Sequence, residues 1–165
     1  MTGSRTSPPH TTHACEPHLR PVRTVRAVGL QVRAFAALVA TTVLLRHRGT
    51  SAALQRLAPD RRRRSKPLDS RAATVAVQRA GRVLRARCLA QSVALAVLLQ
   101  RAGRDASVVL GCRRYEDRRW GSHAWVVCGG EVLEPVMGED HAELARYSAA
   151  QGWMPVAPPP AGAAS

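Results

Sequence analysis

Residues 88–99, Cys-Leu-Ala-Gln-Ser-Val-Ala-Leu-Ala-Val-Leu-Leu, decide how the rest of the chain is read. On a 3.6-residue helix the apolar side chains run nearly all the way round, and a helix without a polar face is one that a core surrounds. Gly103 ends it, as a glycine just past a helix commonly does. The run opens on a cysteine. A helix start carries partial positive charge and N–H groups without intrahelical acceptors, and both favour a thiolate. The same N–H groups can bind the oxyanion of a tetrahedral intermediate. Cys88 is therefore a candidate nucleophile.

Reading outward, the Val-rich stretches 107–112 and 122–128 are expected strands, and Gly129-Gly130 links the second to 131–134 as a hairpin. Upstream, Asp69 or Ser70 is placed to cap a helix reaching about Leu84. Small and apolar residues over 22–45, with Arg26 and Arg33 one heptad apart, predict another helix lying on something apolar. Arg61 to Arg64 and Lys66 stand between Pro59 and Pro67, a solvated linker. Residues 1–20 read as a flexible extension and 151–165 as a Pro/Ala-rich tail. What remains, 21–150, is one domain: an N-terminal helical part, 21–85, and a catalytic core, 86–150.

Composition excludes several classes. A chain of 165 residues with 45% apolar side chains can build a single core. Lys and Arg number 25 against 11 Asp and Glu, a net charge of +14; all but one of the bases are Arg, and Ile and Asn are absent. The charge has two explanations, an anionic partner or GC-rich coding drift. With aromatics at 4%, platforms for stacking nucleic-acid bases are scarce, and no nucleic-acid partner is expected. Four cysteines, none in C-x-x-C spacing, signal neither a disulfide scaffold nor a zinc ribbon and suit a reducing cytoplasm. The spacing of His10, His13, Cys15 and His18 matches no standard zinc module, so no metal or cofactor is expected. The apolar stretch 34–45, between Arg33 and Arg46, falls short of the roughly 17–25 residues that cross a bilayer, and no membrane span or targeting segment is expected.

A cysteine nucleophile needs a base. His123 is the one histidine embedded between core-like segments; His10, His13 and His18 lie in the extension, and His47 and His141 beside polar turns. A third group should hold the imidazole's tautomer, and without any Asn it must be an acid. If Gly129-Gly130 is a two-residue turn, Trp125 opposes Glu134, which then shares a sheet face with His123. A three-residue turn would put Pro135 there instead, and Asp140 is the fallback. Trp125 suits core packing or a cleft wall, and Cys112 and Cys128 suit small buried hydrophobes.

Arg-Cys-Leu-Ala-Gln-Ser-Val-Ala-Leu-Ala-Val-Leu-Leu-Gln-Arg-Ala-Gly-Arg-Asp-Ala (87–106), Val-Leu-Gly-Cys (109–112), Ser-His-Ala-Trp-Val-Val (122–127) and Gly-Glu-Val-Leu-Glu (130–134) together resemble the stand-alone leader peptidases of lasso peptide biosynthesis. The likeness covers about residues 20–140, with its specific content in 87–136. It implies an α+β fold with a papain/transglutaminase-like core, the Cys-bearing helix buried on a small antiparallel sheet that carries the His, beside N-terminal helices. It implies Cys88 as nucleophile, His123 as base and, where the family has an acid about a dozen residues later, Glu134. The implied activity is removal of the leader from a ribosomally made precursor. The implied partners are that leader, a separate leader-recognition protein and an ATP-dependent lasso cyclase, since the chain leaves no room for a recognition domain. Two rivals stand: a catalytically silent scaffold of the same core, and a basic nucleic-acid-binding protein.

Overall fold

In the computed structural model, which describes residues 21–57, 68–114, 119–133, 142–148 and 151–156, the apolar run is helix α3, Cys88–Arg101. It lies between two other helices and a sheet. The helices are α1, Pro21–Leu57, and α2, Ser70–Leu84. The strands are β1, Ala106–Arg114; β2, Trp120–Cys128; β3, Glu131–Val132; β4, Ala142–Ser148; and β5, Gly152–Pro155. They pair antiparallel in the order β3-β2-β1-β4-β5. The fold is α+β, with the helices layered on one face of the sheet.

Local chemistry accounts for the helix ends. Asp69 caps α2 by accepting from the Arg71 N–H at 3.0 Å. Arg85 turns into the left-handed region (φ 49°), which lets the Ala86 N–H reach the Gly81 carbonyl at 2.9 Å. At the end of α3 the Arg104 N–H returns to the Leu99 carbonyl at 3.0 Å across Gly103, whose φ of 76° a side chain would resist. Every residue from Ser92 to Leu99 is buried, as a helix apolar all round requires.

Three expectations change. The first helix continues beyond Leu45 to Leu57, broken only at Gly49, where φ is 74°. The polar Arg46-His47-Arg48 segment stays helical in water, and beyond the break Ala53 is fully buried. Strand β4 was not foreseen, because its side chains do not alternate cleanly: a bulge opposite Leu110 and Gly111 skips Leu144, which is left exposed. Strand β5 lies in the stretch read as a tail. Tyr147 and Trp153 sit opposite each other and meet edge to face at 5.4 Å, an aromatic pair that adds an edge strand to the sheet. Pro155 is tolerated at the end of that edge strand.

By length and composition the segment Arg26–Ala53 is able to cross a membrane; reading only as far as Arg33 and Arg46 missed this. Part of it nonetheless packs inward, since Ala34 and Leu38 belong to the core shared with α2 and α3. Thr41, almost one turn further, is fully buried, and its Oγ1 has no hydrogen-bond partner among the described residues. Removing that hydroxyl while keeping its shape should help the fold. Thr41→Val is expected to raise stability by about 1 kcal/mol, read as a higher urea midpoint at unchanged slope. A lower midpoint would mean that the hydroxyl is paired.

Candidate active site

Two side-chain bonds seat α3 on the sheet. Ser92 Oγ donates to the Ala124 carbonyl at 2.9 Å, and Gln100 Nε2 donates to the Ala106 carbonyl at 2.8 Å. Ala106 is paired with Cys128, so the helix runs parallel to β2. The rises agree: the eight residues from Ser92 to Gln100 span about 12 Å of helix and the four from Ala124 to Cys128 about 13 Å of strand. Cys88, just over one turn before Ser92, lies about 6 Å further back along the helix, a rise that corresponds to about two strand residues before Ala124, near Ser122.

Strand alternation decides the faces. Ala106, Val108, Val126, Cys128 and Tyr147 join the core under the helices. His123 and Trp125, one residue out of phase, belong to the opposite face, together with Val109 and Gly111. The approach of α3 to this end of β2 is therefore at the strand's edge. The Leu133 N–H donates to Val126 at 2.9 Å, so the Val126 carbonyl, and two residues earlier that of Ala124, point toward β3 and away from β1. Ser92 donates to that Ala124 carbonyl and draws the start of α3 to this part of β2.

The link into α3 is fastened as well. Gln91 Nε2 donates to the Ala86 carbonyl at 2.8 Å. Gly81 lies flush against the same side chain: a Cβ built on it would stand 2.5 Å from Gln91 Cδ. Arg87 makes no side-chain capping bond, and the first turn holds no acid, so the partial positive charge at Cys88 is left uncompensated from within the helix. Cys88 and His123 are both half-buried. Gln91 and Ser92 were missed as positioning residues, although they are the two conventional polar side chains in 88–99, three and four places after the cysteine.

The face carrying His123 is walled by Trp125. The two rings are 6.3 Å apart and inclined by 20°, and a Cβ on Gly111 would come within 2.5 Å of Trp125 Cη2 and 2.7 Å of the Ala142 carbonyl oxygen. Beyond Gly111, β4 brings Glu143 to this face. Both of its carboxylate oxygens are engaged by Arg146, at 2.8 and 3.0 Å, a pairing that raises the Arg146 pKa. Sequence reading did not single out Glu143. The β2–β3 hairpin has the two-residue Gly129-Gly130 turn, with Val127 opposite Val132 and Cys128 opposite Glu131. Glu134 and Asp140 lie outside the described residues, as does the His10, His13, Cys15, His18 cluster. Among the described residues no group of His, Cys, Asp and Glu side chains is arranged to hold a metal ion.

The family model of the transglutaminase-like superfamily matches residues 31–151, from within α1 through β4. The chain belongs to that superfamily, which includes cysteine proteases. No curated protein and no solved structure gave a significant match.

Two substitutions test this geometry. Ser92→Ala removes the donor to the Ala124 carbonyl and is expected to cost about 1–3 kcal/mol, read from the urea midpoint; an unchanged midpoint would show that another donor serves that carbonyl. Gly111→Ala forces a methyl against an indole and a backbone oxygen. It should cost about 1–3 kcal/mol and alter the near-UV circular dichroism of Trp125, whereas a silent substitution would place the indole elsewhere.

Proposed function

We propose that this protein is a cysteine peptidase that removes the leader from a lasso peptide precursor. It acts in the cytoplasm with a leader-recognition protein and an ATP-dependent cyclase. The observation that carries the reading is the position of Cys88, at the start of a buried helix with no side-chain cap, in a transglutaminase-like domain. The resemblance of 87–136 to the leader peptidases supplies the substrate class. The three described cysteines are free, which suits a reducing compartment.

In this mechanism Cys88 Sγ attacks the scissile carbonyl as His123 takes its proton. The N–H groups of the first turn of α3 stabilise the oxyanion. His123 then protonates the leaving amine, and water, its proton taken by His123, hydrolyses the Cys88 thioester to free the leader's carboxylate and the thiol. Glu134 orients the imidazole, with Asp140 as the alternative. Glu134 is proposed for that role on the resemblance, which has an acid about a dozen residues after the histidine.

The assignment of His123 to the sheet face opposite α3 favours a second reading, a catalytically silent scaffold in the same maturation complex. The experiment that separates them incubates precursor with the chain and its recognition protein and follows leader release by mass spectrometry. Cys88→Ala and thiol alkylation should each leave the precursor uncut, a loss of at least about a thousandfold, and His123→Ala should do likewise. Maturation that survives Cys88→Ala would establish the scaffold.

A further inference from the structure

A groove of about 960 Å³ runs between α1 and α2, and neither Cys88 nor His123 lines it. Its floor is apolar, with Leu30 on one wall and Ala72 and Ala76 on the other. Gln31 Nε2 ties the walls together by donating to the Ala76 carbonyl at 3.1 Å. Val75 lies in the groove with 45% of its surface exposed. Both rims are basic, Arg26 and Arg33 from α1 and Arg71 and Arg79 from α2, against the single acid Asp69, which is occupied in capping α2. Arg71 also reaches Glu131 at 3.5 Å, but both side chains are largely exposed, so that pair is weak.

Such a site needs an occupant with apolar side chains for the floor and carboxylates for both rims. We propose that the groove docks an acidic, amphipathic peptide segment of a partner protein. Its apolar residues lie against Leu30, Ala72 and Val75, and its carboxylates face Arg26, Arg33 and Arg79. Charge complementarity selects this occupant. A second copy of the chain, at +14, brings like charge to the rims. Segments 1–20 and 58–67 of the chain itself hold more basic than acidic groups. A nucleic acid finds no aromatic platform among the lining residues. An anionic membrane surface shares the attraction to the guanidinium rims, and the vesicle arm of the test separates it from a peptide. The site is independent of the cleavage reading.

The test is fluorescence anisotropy on the full chain carrying Cys88→Ala, in about 0.15 M salt to screen long-range attraction. The probe is a short labelled peptide with leucines at helical spacing and glutamates elsewhere. Arg33→Glu with Arg79→Glu should weaken binding by about tenfold or more, while Arg48→Glu with Arg104→Glu, an equal charge change outside the groove, should weaken it by less than about twofold. A Cβ on Gly29, which lines the groove, meets nothing within 4 Å, so Gly29→Leu adds bulk to the groove lining without a clash. It should abolish binding while helix content by circular dichroism is retained. A scrambled peptide of the same composition should bind about tenfold more weakly. The proposal is overturned if the probe does not bind, if the two pairs of reversals act alike, or if Gly29→Leu or scrambling has no effect. It is equally overturned if phosphatidylglycerol vesicles or a single-stranded oligonucleotide bind with the same dependence on the groove. Tenfold tighter binding by Glu139→Gln with Asp140→Asn would assign the groove to the chain's own acidic segment and overturn it too.

Discussion

The hydrogen bond from Ser92 to the Ala124 carbonyl is the constraint on which the geometry of this domain turns. It joins the only conventional hydroxyl of the buried helix to a carbonyl of β2. With the Gln100 bond at the other end, it fixes the direction of α3 along β2 and the level at which the helix begins. Sliding the helix by one turn would leave two buried carbonyls without donors, each at a cost of about 1–3 kcal/mol. The position of Cys88 along the sheet follows from those two contacts.

The region around His123 is organised by absence of bulk. Gly111 has no side chain, so the Trp125 indole lies over β1, and any Cβ there would collide with it. Trp125 in turn borders the imidazole on one side. Glu143 reaches the same face but is committed to Arg146 through two bonds. A carboxylate held in that way has already satisfied its strongest donor, which distinguishes it from an acid left to orient a histidine.

Much of the fold was legible locally. The all-round apolar pattern of 88–99, the Asp69 cap and the Gly-Gly turn each carry their structural meaning within a few residues, and each element formed where it was read. The failures were equally physical. Helix α1 outran its apolar stretch because exposed arginines are good helix formers and Gly49 breaks the helix without ending it. Strands β4 and β5 were hidden because a bulge breaks the alternation of the first, and the second is short and rests on one cross-strand aromatic pair.

For the site, the sequence by itself determined the chemical types: a cysteine opening a buried helix, a histidine in a Val-rich strand, and a glycine turn that sets the register beyond it. Those are properties of short segments, whose periodicity and capping do not depend on distant neighbours. Only the tertiary structure decided that α3 runs along β2 and that Ser92 and Gln100 hold it there. These facts depend on which carbonyl of one segment meets which side-chain donor of another, a relation between residues 32 positions apart that no local pattern encodes.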